Sequence, residues 1–149
     1  MDANRLFSED VYIQTLKDPE DAMTAVSFPA SGAFIDVGDF NRFAFLIHAG
    51  EETVTQTYQV QQATAIDGAL IDVVGAVIAI ATGGKNKWYI IEVQCDRLNS
   101  NGGYHFVTLT NTGGAAGNFA ALTFLGLIPG KSPVTQPVAV FGSAVNIVG

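Results

Sequence analysis

Six short runs, each closed by glycine, asparagine or proline, restrict this chain to β-structure. They are RFAFLIH (42–48), TVTQTYQVQQ (53–62), a run over about 70–81 broken by Gly75, WYIIEVQ (88–94), YHFVTLT (104–110) and FAALTFLGLI (119–128). Successive side chains of a strand leave opposite faces of the sheet, so apolar residues at alternate positions give each strand a core side. Between the runs stand AGEE (49–52), Asp67-Gly68, TGGKNK (82–87), NSNGG (99–103) and TGGAAGN (112–118), which read as hairpin turns. The pattern predicts an all-β fold: a single antiparallel β-sandwich or jelly-roll-like domain over residues 30–132. Residues 1–29 are expected to form an N-terminal arm with at most one short helix, because Asp18-Pro19-Glu20-Asp21 supplies a cap, a first-turn proline and acids, and Pro29 ends the segment. Residues 133–149 read as an apolar C-terminal extension or a last strand.

The second run raises a question. Val54, Tyr58 and Val60 share a core-facing register that Gln56 interrupts and Gln62 closes, while Thr53, Thr55, Thr57, Gln59 and Gln61 point the other way. No residue in the run is charged. Charged residues make up only 14% of the 149-residue chain and apolar residues 48%, against about 25% charged in an ordinary soluble domain. A chain of this length buries roughly 70% of its unfolded surface, so its core needs neither metal nor disulfide. Charge is also uneven: residues 1–52 hold ten acids and three bases, whereas residues 98–149 hold Lys131 alone if His105 is neutral. The net charge of −7, with Lys85 and Lys87 the densest basic pair, argues against nucleic acid as a partner.

Candidate chemical motifs resolve into ordinary structure. TGGKNK would need glycine where Ala79 stands and Ser or Thr where Asn86 stands to bind phosphate. NSNGG and TGGAAGN lack dinucleotide spacing. His48 and His105 have no ligand at a metal spacing, and Asp36 with Asp39, or Glu51 with Glu52, lack an EF-hand pattern. Cys95 sits between Gln94 and Asp96, and a neighbouring acid raises a thiol pKa. No G-x-S-x-G elbow occurs. Trp88 and Tyr89 are expected to pack in the core at a strand start. No enzyme activity, cofactor or metal is expected. The longest apolar run, Leu70–Ala81, contains Asp72 and is short of a membrane span, and MDANRLFSED lacks a signal-peptide stretch, so a soluble chain made inside the cell, without a membrane partner, is expected.

Uncharged amides are cheaper to desolvate than ions, which points to an assembly component. The candidate interface residues are Leu6, Phe7, Val11, Tyr12 and Ile13 in the arm, Thr55, Thr57, Gln59 and Gln61 on the strand, and Val138, Val140, Phe141, Val145 and Ile147 near the end. The order FNRFAFLIHAG, TYQVQQATAIDGALIDV, WYIIEVQ, YHFVTLTNTGG and FAALTFLGLIPGKSP, over residues 33–137, resembles capsid decoration (cement) proteins of tailed bacteriophages. The resemblance implies a β-domain, commonly a homotrimer, on the outer surface of the virion, joining neighbouring major capsid proteins. A phage tail tube or fibre protein, or a carbohydrate-binding β-module using Trp88, Tyr89 and Tyr104, are the alternatives.

Overall fold

The structure, a computed structural model, describes residues 10–19, 23–24 and 26–129. Nine strands occur among them: β1 (Val11–Lys17), β2 (Ser27–Phe28), β3 (Ile35–Asp36), β4 (Phe40–Ala49), β5 (Gln56–Ala63), β6 (Ile71–Ile80), β7 (Trp88–Gln94), β8 (Phe106–Thr112) and β9 (Ala120–Pro129). They form two antiparallel sheets, ordered β1-β9-β4-β7 and β2-β8-β5-β6, with β3 also on β8. The six runs of the sequence correspond to β4 to β9, and the all-β expectation holds.

Pairing follows one rule. β5 pairs with β6, β4 with β7, β2 and β3 with β8, and β1 with β9, so each strand meets the one equally far from the turn between β5 and β6. The chain is thus one long hairpin, rolled so that β4 also lies beside β9 and β5 beside β8. That nesting is the eight-strand jelly roll, with its second strand here split into β2 and β3. Two expectations are corrected by it. Only the Asp67-Gly68 turn closes a hairpin, since AGEE, TGGKNK, NSNGG and TGGAAGN each carry the chain from one sheet to the other. Residues 11–17, expected in an arm, are a strand of the domain, because without β1 the second edge of β9 would have no backbone partner. None of the described residues between Asp18 and Val26 is helical, and residues 133–149 lie outside the described part.

The core lies between the sheets. From sheet one come Phe43, Phe45, Ile47, Leu122, Phe124, Ile91 and Val93, and from sheet two Tyr58, Val60, Val107, Leu109 and Ile80, all buried. Phe124 is the hub: its ring lies 5.4 Å from Phe45, 5.8 Å from Phe43, 6.2 Å from Tyr12 and 6.5 Å from Phe40. Such pairs add about 0.5–1.5 kcal/mol each beyond area burial. Gly126 makes room for the cluster, because a Cβ there would come within 2.5 Å of the Phe40 ring. Gly126→Ala is therefore expected to destabilise the protein by about 1–3 kcal/mol through overpacking. In a Phe40→Ala background the same change is expected to have little effect, and urea unfolding of the four proteins in the cycle measures that coupling.

Candidate interaction surface

The polar residues of β5 divide between the two sides of their sheet. Inward, Gln56 is fully buried. Its Nε2 donates to Glu52 Oε2, and its Oε1 accepts from Asn111 Nδ2 at 2.8 Å and from the Tyr58 hydroxyl at 3.4 Å. Gln62 Oε1 accepts from the Asn99 backbone N–H at 2.8 Å, tying β5 to the loop that follows β7. The amides that interrupt the apolar register are thus buried and bonded, as burial requires.

Outward, β6 departs from its ladder: four residues, Val73–Ala76, stand opposite the single Val60, with Gly75 at φ +82°. The extra chain turns carbonyls away from their ladder partners. Gln59 Nε2 fills the gap, donating to the carbonyls of Val60 (2.8 Å), Val73 (3.0 Å) and Ala76 (3.2 Å). Gln61 Nε2 donates to Asp72 Oδ1 at 2.7 Å. The Gln59 and Gln61 amides therefore meet their own sheet. The bulge in turn ejects Val74, which is 98% exposed. Gln59→Leu is expected to lower stability by about 1 kcal/mol, seen in urea, because these carbonyls lose a shared donor. Unchanged stability would mean that water replaces the amide without loss.

Glu52 is the one buried acid in the polar cluster around Gln56. Among the described residues, its Oε1 and Asn111 Oδ1 have no hydrogen-bond partner. Burial pushes the Glu52 carboxyl above the ordinary carboxylate range, with the Gln56 bond opposing and the Glu51 charge adding. A carboxyl whose folded pKa is raised contributes most below its unfolded pKa, about 4.3, and that contribution is lost as pH rises through the folded value. Glu52→Gln, neutral throughout, is expected to melt higher than wild type at pH 7 and to converge with it towards pH 4 in a thermal series. A further buried amide joins two cross-sheet loops: Asn118 Oδ1 accepts from Thr53 N, Thr53 Oγ1 and Val54 N, and its Nδ2 donates to Val54 O.

The outer side of sheet one is apolar where β4 meets β7. The register sets Leu46 beside Ile90 and His48 beside Trp88. Ile90 is 59% and Trp88 61% exposed, so Trp88 is not the core residue expected; Tyr89, Ile91 and Val93 take the inward places. The Trp88 indole stacks on the His48 ring at 4.2 Å and 6°. Charge along this strip is confined to Glu92, paired with Arg42 at 3.2 Å. Around the edge, where β6 and β7 approach each other from opposite sheets, an open cleft of about 340 Å³ is lined by Val73–Ala76, Glu92–Gln94 and Arg97. Another, of about 400 Å³, lies at the end of β7 against Phe40–Arg42 and Cys95. Burial, with the Asp96 charge adding, pushes the Cys95 thiol up to about 11, so it is a poor nucleophile.

The expected interface residues fall in different places. Val11 is buried in β1, and Tyr12 and Ile13 are half-buried there; Thr55 is exposed before β5; Thr57, Gln59 and Gln61 lie on the outer face of sheet two. Leu6, Phe7, Val138, Val140, Phe141, Val145 and Ile147 lie outside the described residues. Val74, Trp88 and Ile90 are not among the expected interface residues, and Trp88 is expected outside the core only in the carbohydrate-binding alternative. Their signal was present in WYIIEVQ, which is apolar on both faces, but alternation alone does not say which face is inside.

Among the described residues no group of three His, Cys, Asp or Glu side chains could hold a metal ion. No helix there is long and apolar enough to cross a membrane. No protein-family model matches the chain, and no curated protein or solved structure matches it either.

Proposed function

We propose that this protein is a structural subunit of a virion, a decoration protein that binds the outer surface of a tailed-phage head and ties neighbouring major capsid proteins together. One observation carries the reading: the outer strip of Trp88, Ile90 and Leu46, with its single ion pair and with Val74 exposed across the cleft at the β7 edge, is apolar where an isolated domain would be charged. The jelly roll supports it as a fold used in viral shells, though the same architecture serves lectins, so the choice between them rests on the surface. A sugar platform needs a bare aromatic face ringed by hydrogen-bonding groups. Here His48 occupies one face of Trp88, and Ile90 lies on the same strip two residues along. A protein partner fits that chemistry better. The net charge of −7 favours the outside of a shell over the DNA-filled inside.

The test is binding to phage heads that lack the protein. The wild type is expected to co-sediment with intact heads and remain open to added protease, and Trp88→Ala with Ile90→Ser is expected to weaken binding at least tenfold without changing the melting temperature. Electron micrographs locate the bound copies. Protrusions on the shell support the reading; density confined to the tail would replace it with a tail protein, and protection from protease until the head is opened would put it on the wrong side.

A further inference from the structure

The four sheet edges are not alike. An edge strand exposes unpaired N–H and C=O groups and recruits other strands unless it is bent, broken or charged. β1 is bulged between Thr15 and Lys17. β6 carries the Val73–Ala76 bulge. On β8 the outer partner is broken into two-residue pieces, β2 and β3, with Pro29 after the first. β7 is neither bent nor broken, and its single charged side chain, Glu92, is paired with Arg42 of β4. It pairs with β4 residue for residue from Trp88 to Gln94, contains no proline or glycine, and among the described residues no strand lies on its other side. Three edges are protected, and the fourth is straight, unpaired and flanked by Trp88 and Ile90.

We propose that β7 is an acceptor edge that takes residues 137–148 of a second copy of this chain as an added antiparallel strand. That segment reads PVAVFGSAVNIV: it is uncharged, rich in Val and Ile, and begins with a proline suited to a strand's first position. Its charge matches its site, where Glu92 is already paired with Arg42. Its twelve residues span about 40 Å when extended, more than the roughly 23 Å of β7. Its point of departure argues for a neighbour rather than the same chain. β9 ends at Pro129 opposite Phe40, and β7 ends at Gln94 opposite Arg42, so the chain leaves β9 at the same end of the sheet at which β7 finishes. To reach its own β7 it would cross two connections that leave the sheet at that end, the one entering β4 through Val37–Asp39 and the one leaving β7 through Cys95–Arg97. Connections that cross at one end of a sheet are avoided. A second copy supplies the strand without a crossing, and main-chain pairing gives affinity while the apolar strip gives selectivity. Such head-to-tail contacts close into a ring when the rotation between copies permits.

The inference names the partner for the apolar strip on which the functional proposal rests, but its test uses the purified chain alone. Either can therefore fail while the other stands. Two full-length variants are made: Ile90→Lys, which spoils the acceptor edge at an exposed position, and Val140→Asp with Phe141→Asp, which spoils the donor. If Ile90→Lys melts lower than wild type, Trp88→Lys takes its place. By light scattering at micromolar concentration the wild type is expected to be an oligomer and each variant alone a monomer. Mixed in equal amounts, the variants are expected to form a one-to-one dimer, because one keeps a working edge and the other a working strand. A monomeric wild type, oligomers unaffected by either change, or monomeric variants that ignore each other would each overturn the proposal.

Discussion

The structure depends on the pairing of each strand with the one equally distant from the turn at Asp67-Gly68. Backbone groups removed from water must find partners, and an antiparallel hairpin satisfies them with the least loop closure at its tip. Extending that hairpin outward from β5 and β6 dictates that β4 meets β7, that β8 takes β2 and β3, and that β1 meets β9. Rolling it brings β9 between β1 and β4, and that places Phe124 where it touches the rings of Phe43, Phe45, Phe40 and Tyr12. The core is a consequence of the pairing as much as its cause.

A rolled hairpin has costs at its corners and edges, and the uncharged amides of this chain meet them. Asn118 joins two loops that cross between the sheets, Gln62 binds the loop after β7, and Gln59 holds together the bulge in β6. This accounts for a strand so rich in glutamine and free of charge. An ion in those places would be desolvated without a matching countercharge, whereas an amide both donates and accepts. Gly75 lets β6 bend through the left-handed conformation, and the bend pushes Val74 into water beside the β7 edge. Internal repair and outward surface are linked there by a single irregularity.

The apolar strip was only partly legible beforehand. WYIIEVQ announces a strand, and its register with β4 gives Tyr89, Ile91 and Val93 to the core, yet Trp88 and Ile90 are equally apolar and looked like core residues too. Period-two alternation identifies an inside only when the two faces differ in polarity. Gln59 and Gln61, whose polar side chains suggested contact with a partner, make hydrogen bonds to β6 of their own sheet. A bulge leaves no mark in the sequence beyond Gly75, and Gly75 alone does not say how many residues are looped out or which amide reaches them.

By itself the sequence determined what depends on neighbours along the chain: six of the nine strands, the breakers between them, the all-β class, and a surface poor in charge. Side-chain alternation and turn chemistry act over a few residues, so they survive without knowledge of the fold. The tertiary structure alone decided which breakers turn a hairpin and which cross between sheets, that Val11–Lys17 belongs to the domain, and which edge is left open. These are matters of pairing between residues as far apart as Val11 and Leu127. A backbone hydrogen bond is chemically the same whichever strand supplies it, so the sequence of one strand does not name its partner; competition among all the edges for burial and satisfied bonds does.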